Sequence, residues 1–519
     1  MVDQEMKRLV NAGFIEKAQR CRPRLKSSVK APLRIVAISS KGDTAEIQEK
    51  SDGRMLPRYS LGKGESLCLD FGTHYVGYVT LKFNSVGSPQ DAPAFLRLKF
   101  AEVPGEILDD SGDYHGWISR GWIQEEFIHL DVLPAEVRLP RRYAFRYLEI
   151  LALDTSKKWK LVVEEAKLSA VSAADPEAVF PFHTQDKLLK DIDRVSVRTL
   201  ANCMQDVFED GPKRDRRLWI GDLRLQALAN YETFRDYKLV KRCLYLFAGL
   251  TRDDGRVGAC VFTEPDYIVD DTFFFDYSLF FVPVLYDYYM ESGDEDTLKE
   301  LWPCAKRQIE LASQEFGTTH VVREMEANDC FLDWKAGLDK QAGAQAVYIY
   351  CVRRGACLAR ILGCTDEASR LEREAEEKAA AAMKYLWDGT KGMFISGRDR
   401  QISYASQVWM VLAEVVKGKE ARELLNRLDE EKPEMGMVTP YMNHHYVEAL
   451  LLCGEEKKAL DYIKYYWGGM VEGGADTFWE LYNPENREES PYGSRIVNSY
   501  CHAWSCTPAF LLRKIEKIF

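Results

Sequence analysis

Between Phe208 and Asp222 the sequence reads FEDGPKRDRRLWIGD, which crowds Asp210, Asp215 and Asp222 around Arg214 and Trp219. Gly211 and Pro212 stop any preceding helix, so the spacing predicts a new helix from about Asp215. Asp215, Trp219 and Asp222 then share one face at i, i+4 and i+7, with Asp210 brought near by the turn. Carboxyls flanking an indole suit a sugar, because hydroxyls take hydrogen bonds while the C–H face of the ring packs on an aromatic. The same residues also make an acidic first turn that favours the helix dipole, beside a core tryptophan. A second stretch, Trp467 to Leu481, reads WGGMVEGGADTFWEL; Gly473 and Gly474 break a helix, and Trp479 stands beside Glu480. Partly apolar surroundings would tune that carboxyl, and a loop acid at the surface is the plainer alternative.

Other clusters are less patterned. Glu324, Glu326, Asp329, Asp333 and Trp334 fall in one loop, without the ligand spacing of helix–loop–helix calcium binders. Phe274 and Asp276 in FFFDY, and His502 in NSYCHAW, are pocket candidates among aromatics that otherwise read as core. Cys501 and Cys506 around His502 lack zinc spacing, and the eight histidines form no spaced triad. No phosphate-cradling glycine loop, dinucleotide fingerprint or nucleophile elbow is present. Carboxylates are left as the plausible catalysts, with no metal expected.

Two kinds of element must position these residues. From about Leu33 to Ala170 the apolar residues come in short, often alternating runs (LRIVAI, SLCLDF, GYVTLKF, AFLRLKF, EEFIHLDV, YLEILAL, WKLVVEEAKL) separated by Gly, Pro, Asp and Ser, which predicts an antiparallel β-sandwich. After about Phe180 the period becomes helical. Helices are expected near 186–207, 217–233, 235–249, 273–292, 295–314, 341–363, 366–387, 402–416, 418–428, 439–453, 455–468 and 497–516, enough for six hairpins in a ring. With no repeated sequence period, a closed (α/α)6 toroid of unlike hairpins fits better than a solenoid. The expected organisation is an N-terminal extension over 1–30, a β-sandwich domain over 31–178 and the toroid over 179–519. Long loops at 251–272, 315–340 and 470–496 should converge on one mouth of the ring.

Composition narrows the partners. With 519 residues, 46% apolar and 29% charged, the chain is ordinary globular material of more than one domain. A net charge of −11 and a pI near 5.5, with basic residues scattered, argue against nucleic acid. Thirteen dispersed cysteines, the absence of an 18-residue apolar run, and an opening MVDQEMKRLV without a secretory pattern point to a cytoplasmic protein with neither membrane partner nor disulfides; homo-oligomerisation stays open.

Taken together these motifs resemble the α-L-rhamnosidases, glycoside hydrolases of family 78 with a six-hairpin toroid. Asp210-Gly-Pro-Lys-Arg-Asp215-Arg-Arg-Leu-Trp219-Ile-Gly-Asp222 is similar to the family signature D-C-P-x-R-[DE]-R-x-G-W-x-G-D, and Gly474 to Glu480 to its G-A-T-T-x-W-E element. LDFGTHYVGYVTLKF and FRYLEI resemble strands of the family's sandwich, and Asp333-Trp334 its G-D-W loop. The resemblance implies an inverting hydrolase without a cofactor, in which Asp215 is the general acid, with Asp210 the alternative donor, and Glu480 the general base. It further implies that Asp210, Arg214, Trp219, Asp222 and His502 hold the sugar, that Trp219, Phe274 and Trp334 accept the methyl of a 6-deoxy sugar, and that Asp276, Asp333 and Trp479 line the same pocket. Departures are Asp215 where Glu is commoner, Gly211 for Cys, Leu218 for Gly and Asp476 for Thr. The expected substrate is a terminal α-L-rhamnose, or a closely related sugar, on small oligosaccharides or glycosides, since the chain ends without the family's C-terminal β-sandwich. The competing readings are a toroid glycosidase for another sugar such as an unsaturated uronide, and a non-catalytic sugar-binding protein.

Overall fold

The computed structural model describes residues 8–41, 44–326, 329–487 and 489–517. The first seven residues of the expected extension therefore lie outside the described residues. The rest of the extension docks first on the helical part of the molecule. Arg8–Val10 pairs antiparallel with Leu250–Arg252, and the helix Ala12–Arg20 packs on the helix Tyr237–Gly249.

The N-terminal domain is a ten-stranded, hydrogen-bonded β-structure organised around one long strand, Ser66–Gly87. SLCLDF and GYVTLKF, which read as two runs, are halves of this one strand. Its first half pairs with Tyr143–Asp154 and its second with Trp159–Ser172, so it bends from one layer into the other. Gly77 sits at the changeover, where a Cβ would meet the Ser169 carbonyl oxygen at 2.1 Å. Alternation along Trp159–Ser172 explains the core: Trp159, Leu161 and Val163 point inward, a bulge between Val163 and Glu165 shifts the parity, and Ala166 and Leu168 point inward after it. The edge strands Lys26–Lys30 and Ala135–Arg138 are too polar to announce themselves by hydrophobicity.

Among the described residues twelve α-helices run from Lys187 to Glu516. Six of them, Ile220–Glu232, Phe275–Ser292, Gln341–Ile361, Tyr404–Leu412, Pro440–Leu452 and Pro508–Glu516, touch one another in chain order, and the last touches the first, closing a ring. The alternate six form the outer wall. Sequence separates the two sets: Ile220–Glu232 and Pro440–Leu452 are buried nearly all round, whereas Lys187–Cys203 and Gly418–Glu431 bury one stripe and expose charges on the other. Segments leaving the inner helices are short (233–236, 293–294, 362–364, 413–417, 453–455), while those entering them are longer (204–219, 250–274, 314–340, 386–403, 432–439, 473–507). The long connections thus gather at the N-terminal ends of the inner helices, on one mouth. Among the described residues no helix is long and apolar enough to cross a membrane.

Candidate active site

The helix expected from Asp215 begins only at Ile220. The preceding segment is a closed loop: the Asp210 N–H donates to the Arg217 carbonyl at 3.0 Å and the Arg217 N–H to Asp210 Oδ1 at 3.0 Å. Within it Asp215 and Arg216 take left-handed backbone conformations, φ 66° and 55°. Such residues cost on the order of 1–3 kcal/mol each and persist where their surroundings fix them. Here Arg214 Nε donates to the Val497 carbonyl at 3.1 Å, Arg216 donates to the Arg142 carbonyl at 2.8 Å, and Lys213 is buried against Glu106 and the Asn498 carbonyl. Asp215 is thereby turned into the mouth of the ring by its loop, not by a helix face.

Glu480 arrives from the opposite side. Its segment is irregular and tied to 499–502, with the Glu480 N–H donating to the Ser499 carbonyl at 3.0 Å and the His502 N–H to the Phe478 carbonyl at 2.9 Å. Glu480 lines the ring's cavity, while Trp479 lies against Tyr482 and Tyr500 in a cleft between the domains. The Glu480 carboxylate accepts from Arg214 Nη2 on Oε2 and from Tyr492 Oη at 2.6 Å on Oε1. Arg214 Nη1 lies 3.4 Å from Asp215 Oδ1, so each carboxyl takes a different arm of one guanidinium fork.

Between these loops is a cavity of about 420 Å³. It brings together Asp210, Arg214, Asp215, Trp219, Asp222, Phe274, Trp334, Glu480 and His502, all expected there from the sequence. Its aromatic wall is knit by Trp219 on Tyr277, Phe331 on Trp504 and Trp334 on both Trp504 and Tyr492. Asp222 Oδ1 and His502 Nδ1, 3.6 Å apart and buried, have no hydrogen-bond partner among the described residues. Buried polar atoms are ordinarily satisfied, so these two leave hydrogen-bonding capacity open at the cavity wall.

Three candidates fall outside the cavity. Asp276 accepts the N–H groups of Phe331 and Leu332, each at 2.9 Å. Asp333 accepts the N–H of Val438 at 2.8 Å and the hydroxyl of Thr439 at 2.7 Å. Both carboxylates are consumed in fastening the segment that carries Phe331 and Trp334, and they hold the aromatic wall instead of a ligand. Trp479, the third, packs instead against Tyr482 and Tyr500 in the cleft between the domains. Conversely, Trp117, Ile118, Arg217, Thr272, Tyr277, Phe331, Tyr492 and Trp504 line the cavity although sequence reasoning missed them. A tryptophan between glycine and an apolar residue, as in HGWI, was the one available signal for Trp117.

Electrostatics divide the carboxyls. Burial, then the negative charge of neighbouring carboxylates, pushes Asp210 and Asp222 well above the usual range. Asp215 is also raised, because burial outweighs the nearby Arg214 and Arg217. For Glu480 burial acts in the same direction, but Arg214, His502 and the Tyr492 hydroxyl outweigh it and hold the carboxyl below its ordinary value. Burial brings His502 down to about 4, leaving the imidazole neutral near pH 7.

Two family models match this chain. The glycosyl hydrolase family 78 alpha-rhamnosidase N-terminal domain covers residues 33–170, and the bacterial alpha-L-rhamnosidase 6 hairpin glycosidase domain covers residues 177–515. The chain belongs to the α-L-rhamnosidase family of glycoside hydrolases. A solved rhamnosidase from Klebsiella oxytoca with rhamnose bound is 47% identical, covering 98% of this chain and 99% of its own, with a TM-score of 0.96. The family 78 rhamnosidase of Bacillus sp. GL1 is 22% identical at a TM-score of 0.74 and covers 90% of this chain, which spans 49% of that protein. An α-L-rhamnosidase from Streptomyces avermitilis complexed with L-rhamnose is 15% identical at a TM-score of 0.66, covering 94% of this chain and 44% of its own. These last two share the fold. No curated protein sequence matches the chain.

The departures from the α-L-rhamnosidase signature have local explanations. At Gly211 a Cβ would stand 2.8 Å from Ser499 Oγ, so the missing side chain is matched by the serine opposite. Leu218 is fully buried in the toroid core. Asp476 accepts from Arg198, from the Thr73 hydroxyl at 2.7 Å and from the His74 N–H, fastening the start of the Glu480 segment to the sandwich. Aspartate at 215 suits a left-handed backbone, which Asp visits more readily than most residues.

The sandwich also reaches the other loops around the cavity. Glu106 takes Lys213, Glu102 accepts the Tyr500 N–H at 2.7 Å and bonds His74 at 2.9 Å, and Arg142 grips Glu209 through bonds of 2.7 and 2.9 Å.

Proposed function

We propose that this glycoside hydrolase removes a terminal α-L-rhamnose, or a closely related 6-deoxy sugar, from small oligosaccharides or glycosides with inversion at the anomeric carbon. One observation carries the reading: across a single sugar-sized cavity, Asp215 is biased to keep its proton and Glu480 to lose it. Asp215 protonates the glycosidic oxygen as the C1–O bond breaks. Water attacks C1 from the other face and gives its proton to Glu480. Asp222 and His502 take ring hydroxyls, and the wall of Trp219, Phe274 and Trp334 receives the methyl group, where a hydroxylated sugar would leave a polar group unpaired. The rhamnose named with the Klebsiella oxytoca relative supports the choice of sugar.

Inversion needs carboxyls about 6.5–9.5 Å apart, to leave room for the water. That Asp215 and Glu480 occupy separate arms of Arg214, instead of sharing a proton, is consistent with this demand. The test is to follow hydrolysis of an aryl α-L-rhamnoside by NMR. First release of β-L-rhamnose supports the assignment; first release of the α anomer overturns inversion, and inertness toward this glycoside in a panel whose other members react overturns the sugar.

A further inference from the structure

The cavity has a floor and a rim of different character. Asp222, Tyr277, Glu480, Tyr492, His502 and Trp504 are buried, and Asp215, Arg217, Trp219 and Phe274 are half-buried around them. Trp117 is different: it is 77% exposed, the most exposed large apolar side chain among the described residues, and yet it borders the same cavity. It comes from the sandwich domain, on the excursion between the strands Ala94–Ala101 and Glu125–Leu130.

This exposure is built, not incidental. The indole N–H donates to the Pro491 carbonyl at 3.1 Å, and the ring leans on Tyr492 with centroids 5.5 Å apart. Tyr114 clamps the loop through its hydroxyl, which accepts from the Ile118 N–H at 3.1 Å and donates to the Ile118 carbonyl at 2.9 Å. Gly116 permits the close approach, since a Cβ there would lie 2.0 Å from the Tyr492 carbonyl oxygen. A tryptophan with its polar edge satisfied, its position fixed and its face bare toward the mouth is a preorganised stacking surface, with little ordering entropy left to lose on binding.

We infer that Trp117, backed by Ile118, forms a leaving-group subsite that takes a ring attached to the cleaved sugar by stacking on its flat face. The inference rests on the proposed hydrolysis. A sugar bound on the floor must extend its glycosidic substituent through the mouth, and the bare apolar surface there belongs to the sandwich domain. A pyranose presents its C–H face and an aromatic aglycone its π-face, so the shared requirement is a ring and not an alkyl chain.

The test compares three substrates: an α-L-rhamnosyl-D-glucose disaccharide, an aryl α-L-rhamnoside, and α-L-rhamnosyl fluoride, whose leaving group has no ring. In Trp117→Ala the ratio of kcat/KM for a ring-bearing substrate to that for the fluoride should fall about tenfold, with Trp117→Phe recovering most of it. A fall for the disaccharide alone assigns the subsite to sugars, and a fall for the aryl glycoside alone to aromatic aglycones. An unchanged ratio, whether all three rates fall together or none does, overturns the subsite. Should the wild type cleave none of the three, the hydrolytic reading fails, and calorimetric titration decides the subsite separately. Disaccharide binding tighter than free L-rhamnose, with the advantage lost in Trp117→Ala, sustains it; equal binding of the two overturns it.

Discussion

The loop 210–219 and the segment 476–502 face each other across one cavity and treat their carboxyls in opposite ways. Asp215 sits on a strained, tightly closed loop with its side chain 21% exposed, near cations that do not overcome burial. Glu480 sits on an irregular segment with its side chain 4% exposed, yet three donors, from Arg214, Tyr492 and the Ser499 N–H, reach its carboxylate. The more exposed acid is the one biased to stay protonated. Burial therefore does not set the protonation pattern by itself; the count and charge of the donors does.

That contrast can be broken outright. Asp215→Asn and Glu480→Gln should each lower kcat about 10²–10⁴-fold, the range for one general acid or base, as read from initial rates on an aryl rhamnoside. If Asp215→Asn stays active and Asp210→Asn does not, the donor lies at the neck of the loop. In the wild type, activity should be lost on the acid side as Glu480 is protonated, below its ordinary range, and on the alkaline side as Asp215 ionises, above its ordinary range. A kcat/KM profile with an acid limb above and an alkaline limb below those ordinary values would reverse the comparison.

Arg214→Gln should have the next largest effect. With the cation gone, burial dominates at Glu480 and its pKa rises, so the acid limb should move up while activity falls about 10–100-fold. Lys213→Met acts further back. It strands Glu106 and Glu102 in the domain interface, where breaking a buried pair costs about 3–5 kcal/mol, and calorimetry should show a lower Tm. Glu106→Gln, which keeps the shape, should lower kcat more than it raises KM if the sandwich positions the Asp215 loop. The smallest effect belongs to Tyr492→Phe. Loss of one hydrogen bond to a carboxylate, about 1.5–3 kcal/mol, should move the acid limb in the same direction as Arg214→Gln but less far.

Much of the architecture is legible in the sequence because burial leaves a period. Apolar spacing marks the twelve helices, with the last one shortened to Pro508–Glu516 because 497–507 is spent in irregular structure around His502 and Trp504. Alternation marks the sandwich strands except where an edge is polar. The site divides differently. Asp210, Asp215, Asp222 and Glu480 are visible as residue types in motifs, but the left-handed turn at Asp215 and Arg216 is not, since tertiary ties from Lys213, Arg214 and Arg216 impose it. Asp276 and Asp333 look like ligand-binding acids until their backbone partners are seen. Tyr492 and Trp117 lie in aperiodic stretches and acquire meaning only when the two domains meet.

On the proposed roles, the two-armed contact of Arg214 keeps the charge of the cavity constant through turnover. At the start the guanidinium is balanced by an ionised Glu480 beside a neutral Asp215; at the end it is balanced by an ionised Asp215 beside a neutral Glu480. The sum of charges is the same at both stages, and only the arm that carries the ion pair has changed. A low-polarity interior resists net charge far more than it resists such a relocation, so the cycle runs between two electrically equivalent resting points. Restoring the first requires Glu480 to give up one proton and Asp215 to take one, and of the two carboxyls Asp215 is the one more open to solvent.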